Sequence, residues 1–250
     1  MKKYAIALFF VLLGNGTLIA QNLPDKGSFS AEVRVNPFDD YGKTSVLDGI
    51  KFRYFLHQKH ALRLDVNWGT NKEEYSFEES LEKGTQKSSF TARETYFTLN
   101  AGYEYHMIQG NRFDFYAGGE AGWVRHFAET TGEVMHNGKS HSVGVSNAFV
   151  EQDKMSSIGS IDLRSLSSEQ QAKAGFRVAA LVGADCYLYK GFYVGAEVGF
   201  SVSSLKIKKM ENTFVNLVTD EIMTQWDTME QRENKCYFSV EPNIRLGWTF

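Results

Sequence analysis

The sequence has little of three things that often settle a fold early: cysteine, proline and long apolar runs. Cys186 and Cys236 are the two cysteines in 250 residues, which excludes a disulfide-built scaffold. Proline occurs three times. Beyond the N-terminus, no stretch approaches the roughly 20 apolar residues that a membrane helix needs, so a helical membrane protein is excluded. An excess of positive charge is also missing: 27 Lys and Arg stand against 30 Asp and Glu. That balance gives no basis for binding nucleic acid, and no nucleic-acid partner is expected.

The N-terminus has the layout of a secretory signal peptide. Lys2 and Lys3 are followed by an apolar run from Tyr4 to Leu13, and small, weakly polar residues lead to Ala20. The run is too short to span a bilayer. Residues 1–20 are expected to be cleaved, and residues 21–250 to form the exported domain. Its charge is then 25 against 30, a net of −5. No cysteine near Ala20 could carry a lipoprotein anchor.

What the chain does have is alternation with period two, the signature of strands whose two faces see different surroundings. Eight segments carry it. Phe29, Ala31, Val33 and Val35 oppose Glu32 and Arg34. Ile50, Phe52, Tyr54 and Leu56 oppose Lys51 and Arg53. Leu62, Leu64, Val66 and Trp68 oppose Arg63, Asp65 and Asn67. Phe97, Leu99, Ala101, Tyr103 and Tyr105 oppose Asn100 and Glu104. Phe113, Phe115, Ala117, Ala121 and Trp123 oppose Asp114, Tyr116 and Glu120. The last three segments are centred on Val182, Val198 and Leu246, opposed by Arg177 and Asp185, by Glu197, and by Glu241 and Arg245. The runs span seven residues or more, and those from Phe97 to Tyr105 and from Phe113 to Trp123 reach the roughly 9–11 that a tilted strand needs to cross hydrocarbon; soluble strands centre near 5–6.

Connections alternate too. Short turns fall at His57–His60, His106–Arg112 and Tyr189–Gly191, and long connections at Thr70–Glu94, Glu129–Ala174 and Ser204–Lys235. Short turns at one end and long loops at the other are the layout of outer-membrane barrels. The expectation is an all-β fold: an eight-stranded antiparallel up-and-down transmembrane β-barrel with long extracellular loops, in the bacterial outer membrane. Aromatic residues make up 14% of the chain and cluster near the strand ends, as interfacial girdles require.

The outward face must then be apolar, and the inward face would hold charges of both signs. Glu32, Asp65, Glu104, Asp114, Glu120, Asp185, Glu197 and Glu241 oppose Arg34, Lys51, Arg53, Arg63, Arg177 and Arg245. Eight strands leave room only for side chains. Unpaired buried charges are costly, so an ion-paired, plugged lumen is expected.

On these strands the chain resembles the small eight-stranded outer-membrane proteins of the OmpA/OmpX type. The residues that carry the resemblance most specifically are Ile244–Arg245–Leu246–Gly247–Trp248–Thr249–Phe250. They are similar to the C-terminal signal read by the barrel-assembly machinery. The resemblance implies that machinery as a partner, with Trp248 and Phe250 as the assembly signal, and outer-membrane lipid and lipopolysaccharide as surroundings.

Barrel deacylases carry a His-x-Ser arrangement; here His126–Phe127–Ala128 lacks the nucleophile, and Ser201, His126 and Glu120 could meet only through folding. His136 with His141, and His57 with His60, lack the further ligands of a metal site. No catalytic residue, metal or cofactor is expected. Ser167 and Gln170 form a capping box that suggests one or two helical turns, and Pro242 suggests a bulge. Cys186 and Cys236 are expected too far apart to pair. Met210, Phe214, Met223, Trp226 and Met229 are expected to pack on a neighbouring loop or to form an adhesive surface. The function expected is a non-enzymatic surface protein whose loops serve envelope integrity or contact an unidentified extracellular partner. A narrow solute channel, a lipid A-modifying enzyme and a soluble lipocalin-like barrel remain open alternatives.

Overall fold

A computed structural model describes residues 23–35, 47–81, 84–136, 138–216, 218–226, 232–239 and 244–250. The signal-peptide segment, Met229, Glu241 and the bulge expected at Pro242 lie outside the described residues.

The described residues form one antiparallel sheet with no α-helix. Eight strand positions close into a ring. They are β1 (Phe29–Val35), β2 (Leu47–His57), β3 (His60–Leu81), β4 (Gly84–Gln109), β5 (Phe113–His136), β7 (Lys173–Tyr189) and β8 (Phe192–Ile207), with β11 (Arg232–Ser239) and β12 (Ile244–Thr249) sharing the last position. β12 pairs with β1 from Ser30↔Thr249 to Val35↔Ile244, and with β8 from Arg245↔Gly195 to Trp248↔Phe192. That double pairing leaves the ring without an edge.

One end of the ring carries tight turns. The β7–β8 turn is Lys190–Gly191, with φ of 40° and 83°. Two successive positive φ values make the turn whose twist matches that of the strands it joins. Register shifts at Phe55/His57, His106/Ile108 and Tyr187/Tyr189 place bulges beside all three turns.

The opposite end departs from the expected loops. Residues 70–94 are almost entirely strand: β3 and β4 stay paired from His60↔Tyr105 out to Leu81↔Gly84. β5 continues to His136 and folds back as β6 (Lys139–Ser146), which pairs with β9 (Glu211–Asn216); β9 pairs with β10 (Glu221–Trp226). Residues 147–172 return across this extension through two 3-10 turns, Gln152–Lys154 and Leu163–Ser165. Half of the capping box at Ser167 forms: its backbone N–H donates to Gln170 Oε1 at 3.1 Å, while the Gln170 N–H donates to the Ser167 carbonyl and not to its hydroxyl. It closes a turn, and no helix follows, because the chain immediately bridges Ala148↔Gln171 and enters β7.

The extension has its own hydrophobic core, which includes Tyr75, Phe90, Val134, Val145, Phe149 and Met210. Met210 therefore packs as expected, whereas Met223 and Trp226 on β10 are exposed. What was expected as loops is a folded cap.

Candidate functional site

Each ring strand sends alternate side chains inward, and the register brings charges from all of them to one level. Arg53 of β2 is central and fully buried. Its Nε lies 2.9 Å from Glu32 and 3.0 Å from Glu104, and its Nη1 2.5 Å from Asp185. Its Nη2 donates to the Tyr116 hydroxyl at 3.1 Å, and its guanidinium stands 4.7 Å from that ring's centre. Arg245 of β12 reaches Glu32 at 3.0 Å and Asp185 at 2.9 Å. Arg63 of β3 reaches Glu104 at 2.9 Å, and Glu197 and Glu120 at 3.1 Å. Lys51 bridges Glu32 and Glu197, at 3.3 and 3.2 Å. Arg34 pairs with Asp65, and Arg177 with Glu120 at 3.0 Å.

Among the described residues, then, every sequence-selected charge of the interior except Asp114 has a Lys, Arg, Asp or Glu of opposite sign within 4 Å; Asp114 meets His106 instead. Each arginine on the axis meets two or more carboxylates, which is the condition under which buried charge can be held. The sequence reading missed how aromatic rings complete the set. Tyr116, Tyr187 and Tyr193 are fully buried, and Tyr116 Oη donates to Glu197 at 2.7 Å. Gly183 and Gly247 are opposite these rings, where any Cβ would overlap Tyr116 or Tyr193. His106, read as part of a turn, belongs to β4 and contacts Asp114 through Nδ1 at 2.7 Å. The signal was present: His106 continues the inward parity of Glu104.

The outward face is the reverse. Leu64 is 42% exposed and its neighbour Asp65 1%. Tyr54, Leu62, Leu99, Phe115, Val178 and Val182 also face outward and are exposed. Tyr103, Tyr105, Phe113, Trp248 and Phe250 are exposed at the turn end; Trp68, Trp123, Phe127 and Phe176 are exposed toward the cap.

This polarity inverts partway along single strands. In β3 the outward residues run Leu62, Leu64, Val66, Trp68 and then Thr70, Lys72, Glu74, Ser76; the inward ones run Arg63, Asp65, Asn67 and later Tyr75, Phe77. β4 does the same from the other direction, with Lys87, Ser89 and Arg93 outward and Phe90 and Ala92 buried inward.

A polar clasp sits where the two regions meet. His126 stacks on Tyr96, with centroids 4.1 Å apart and an interplanar angle of 4°. Its Nδ1 contacts the Gln171 carbonyl at 2.9 Å and its Nε2 contacts Glu94 Oε2 at 3.1 Å. Burial pushes the Glu94 carboxyl up, but contacts from His126, Tyr96 and Asn71 outweigh it and hold the group below its ordinary value. Above the clasp, Tyr75 donates to the Val150 carbonyl at 2.9 Å, and burial raises its hydroxyl pKa.

Other candidates do not assemble. His126 lies six residues along β5 from Glu120, whose level Ser201 shares through Ala179. Ser201, His126 and Glu120 therefore do not meet. No group of three or more potential metal ligands occurs among the described residues. Cys186 is a free thiol opposite Val194; Cys236 stands opposite Val202, about 27 Å along β8, beyond disulfide reach.

Fold and site thus define a closed antiparallel ring with a charged, ion-paired interior, an apolar exterior and a folded cap. No model of a known protein family matches the chain, and a search of curated proteins finds no match.

Proposed function

We propose that this chain is a bacterial outer-membrane β-barrel that anchors its cap at the cell surface, as a non-enzymatic protein of envelope integrity or contact. The observation that carries the reading is the inversion of polarity within β3 and β4. A strand surrounded by one solvent keeps one apolar face. These strands change faces near Trp68 and Phe97, as expected where a strand leaves hydrocarbon for water.

In this reading residues 1–20 direct export, and the assembly machinery inserts the barrel through the segment ending in Trp248 and Phe250. The ion pairs around Arg53, Arg63 and Arg245 plug the lumen, and the cap replaces the loops as the contact surface. β10 supports a contact role: all six of its residues are exposed, with Ile222, Met223 and Trp226 among them.

The test is reconstitution of the full chain into phosphatidylcholine vesicles and planar bilayers. The proposal expects detergent-dependent extraction, heat-modifiable migration and no stable conductance. Release without detergent would overturn the membrane reading. A large, steady conductance would replace the plugged anchor with a channel.

A further inference from the structure

At the polarity boundary, cations line up across neighbouring strands on the outward face. Arg125 of β5 pairs with Ala174 of β7, Ala174 with Lys206 of β8, and Lys206 with Arg232 of β11. Residues paired in register share a face, so one row spans about 14 Å from Arg125 to Arg232. Two residues nearer the turn end, the same face carries Trp123 paired with Phe176, which is 72% exposed. Between this row and those rings, the outward positions of the four strands hold no acid among the described residues. The Arg125 guanidinium lies 4.1 Å from the Phe127 ring centre, and Lys208 adds a second cation 5.9 Å from that ring.

We infer that this row is a binding site for a phosphorylated lipid headgroup in the leaflet on the cap side, which in an outer membrane is that of lipid A. The inference rests on the membrane reading above. The chemistry follows from placement. A headgroup phosphate sits just beyond the acyl chains, at the height where the outward side chains change from Trp123 and Phe176 to Arg125 and Lys206. Two guanidinium groups match phosphate oxygens in pairs, and the lysine adds charge between them. The rings below would pack on the acyl chains of the same lipid. The far side of the rim differs: at the same level β4 and β3 present Phe97 and Trp68. Its cations Lys72 and Arg93 lie higher, with Lys72 paired to Glu74 and Arg93 beside Glu129.

The experiment titrates labelled diphosphoryl lipid A into the detergent-solubilised full chain, with insertion into plain phosphatidylcholine vesicles measured separately. The triple variant Arg125→Gln, Lys206→Gln, Arg232→Gln should bind on the order of a hundredfold more weakly, and Arg232→Gln alone about fivefold. Lys72→Gln with Arg93→Gln should change binding less than about twofold, and lipid A stripped of phosphate should bind the native protein as weakly as the intact lipid binds the triple variant. Equal losses in both variants, or indifference to the lipid's phosphates, would overturn the site. Inorganic phosphate binding as tightly as lipid A would make it a free-anion site and overturn the lipid assignment. A chain that inserts into phosphatidylcholine yet shows no headgroup preference would fail here alone; one that does not insert would fail the membrane reading instead.

Discussion

Arg53 illustrates what holds a charge where solvent does not reach. Its three nitrogens are shared among Glu32, Glu104, Asp185 and Tyr116, each from a different strand. Removing it would take away the cation that Glu32, Glu104 and Asp185 share, leaving Glu32 and Asp185 to Arg245 and Glu104 to Arg63. Arg53→Met should therefore destabilise the protein by about 3–5 kcal/mol, measured as urea unfolding in detergent followed by tryptophan fluorescence. Adding Glu104→Gln removes one of the three acids that Arg53 balances, so the double variant should recover about 0.5–3 kcal/mol relative to additivity. A native-like Arg53→Met protein would mean that these carboxylates are hydrated and not buried. At this scale the sequence was informative about which side chains point inward, since parity decides that. It was silent on which arginine meets which acid, because partners such as Glu32 and Arg245 lie 213 residues apart and meet only through ring closure.

Within β3, a single strand carries two opposite rules for the same face. Leu64 and Ser76 both point outward, one below the inversion and one above it. Leu64→Arg should cost about 2–4 kcal/mol in a bilayer, the penalty for a cation on a lipid-facing strand near the midplane. Ser76→Arg, on the same face, should change stability by less than about 0.5 kcal/mol. Equal effects in vesicle-based unfolding would show that both positions share one solvent. The lower half of the strand was legible because its apolar residues alternate without a gap from Leu62 to Trp68. The upper half was not. There the apolar residues move to the other parity and thin out to Tyr75 and Phe77 among charges, so the pattern resembles a hydrophilic loop. The cap core was hidden for a related reason: it is assembled from β3–β6, β9 and residues 147–172, and no local stretch contains enough of it to show a period.

The whole molecule joins two cores made by opposite means, one of ion pairs inside an apolar shell and one of apolar side chains inside a polar shell. Their junction is the clasp of Glu94, His126 and Gln171, through which β4 and β5 hold the chain that covers the cap. Because contacts from His126, Tyr96 and Asn71 hold Glu94 below its ordinary value, its ionised form favours the folded junction. A carboxyl depressed in the folded state contributes stability above its unfolded pKa of about 4.3 and loses it as pH falls through the folded value. Acidification below about pH 4 should therefore loosen residues 147–172 from the clasp, read as faster amide exchange in that segment relative to the β2–β3 turn end. Glu94→Gln has no such group to titrate. It should show a looser segment at neutral pH and a flatter response between pH 5 and 3. If native protein and Glu94→Gln share one acid profile, the junction is set by the apolar contacts of Phe149 and Val150 alone, and the clasp has no part in coupling the two halves.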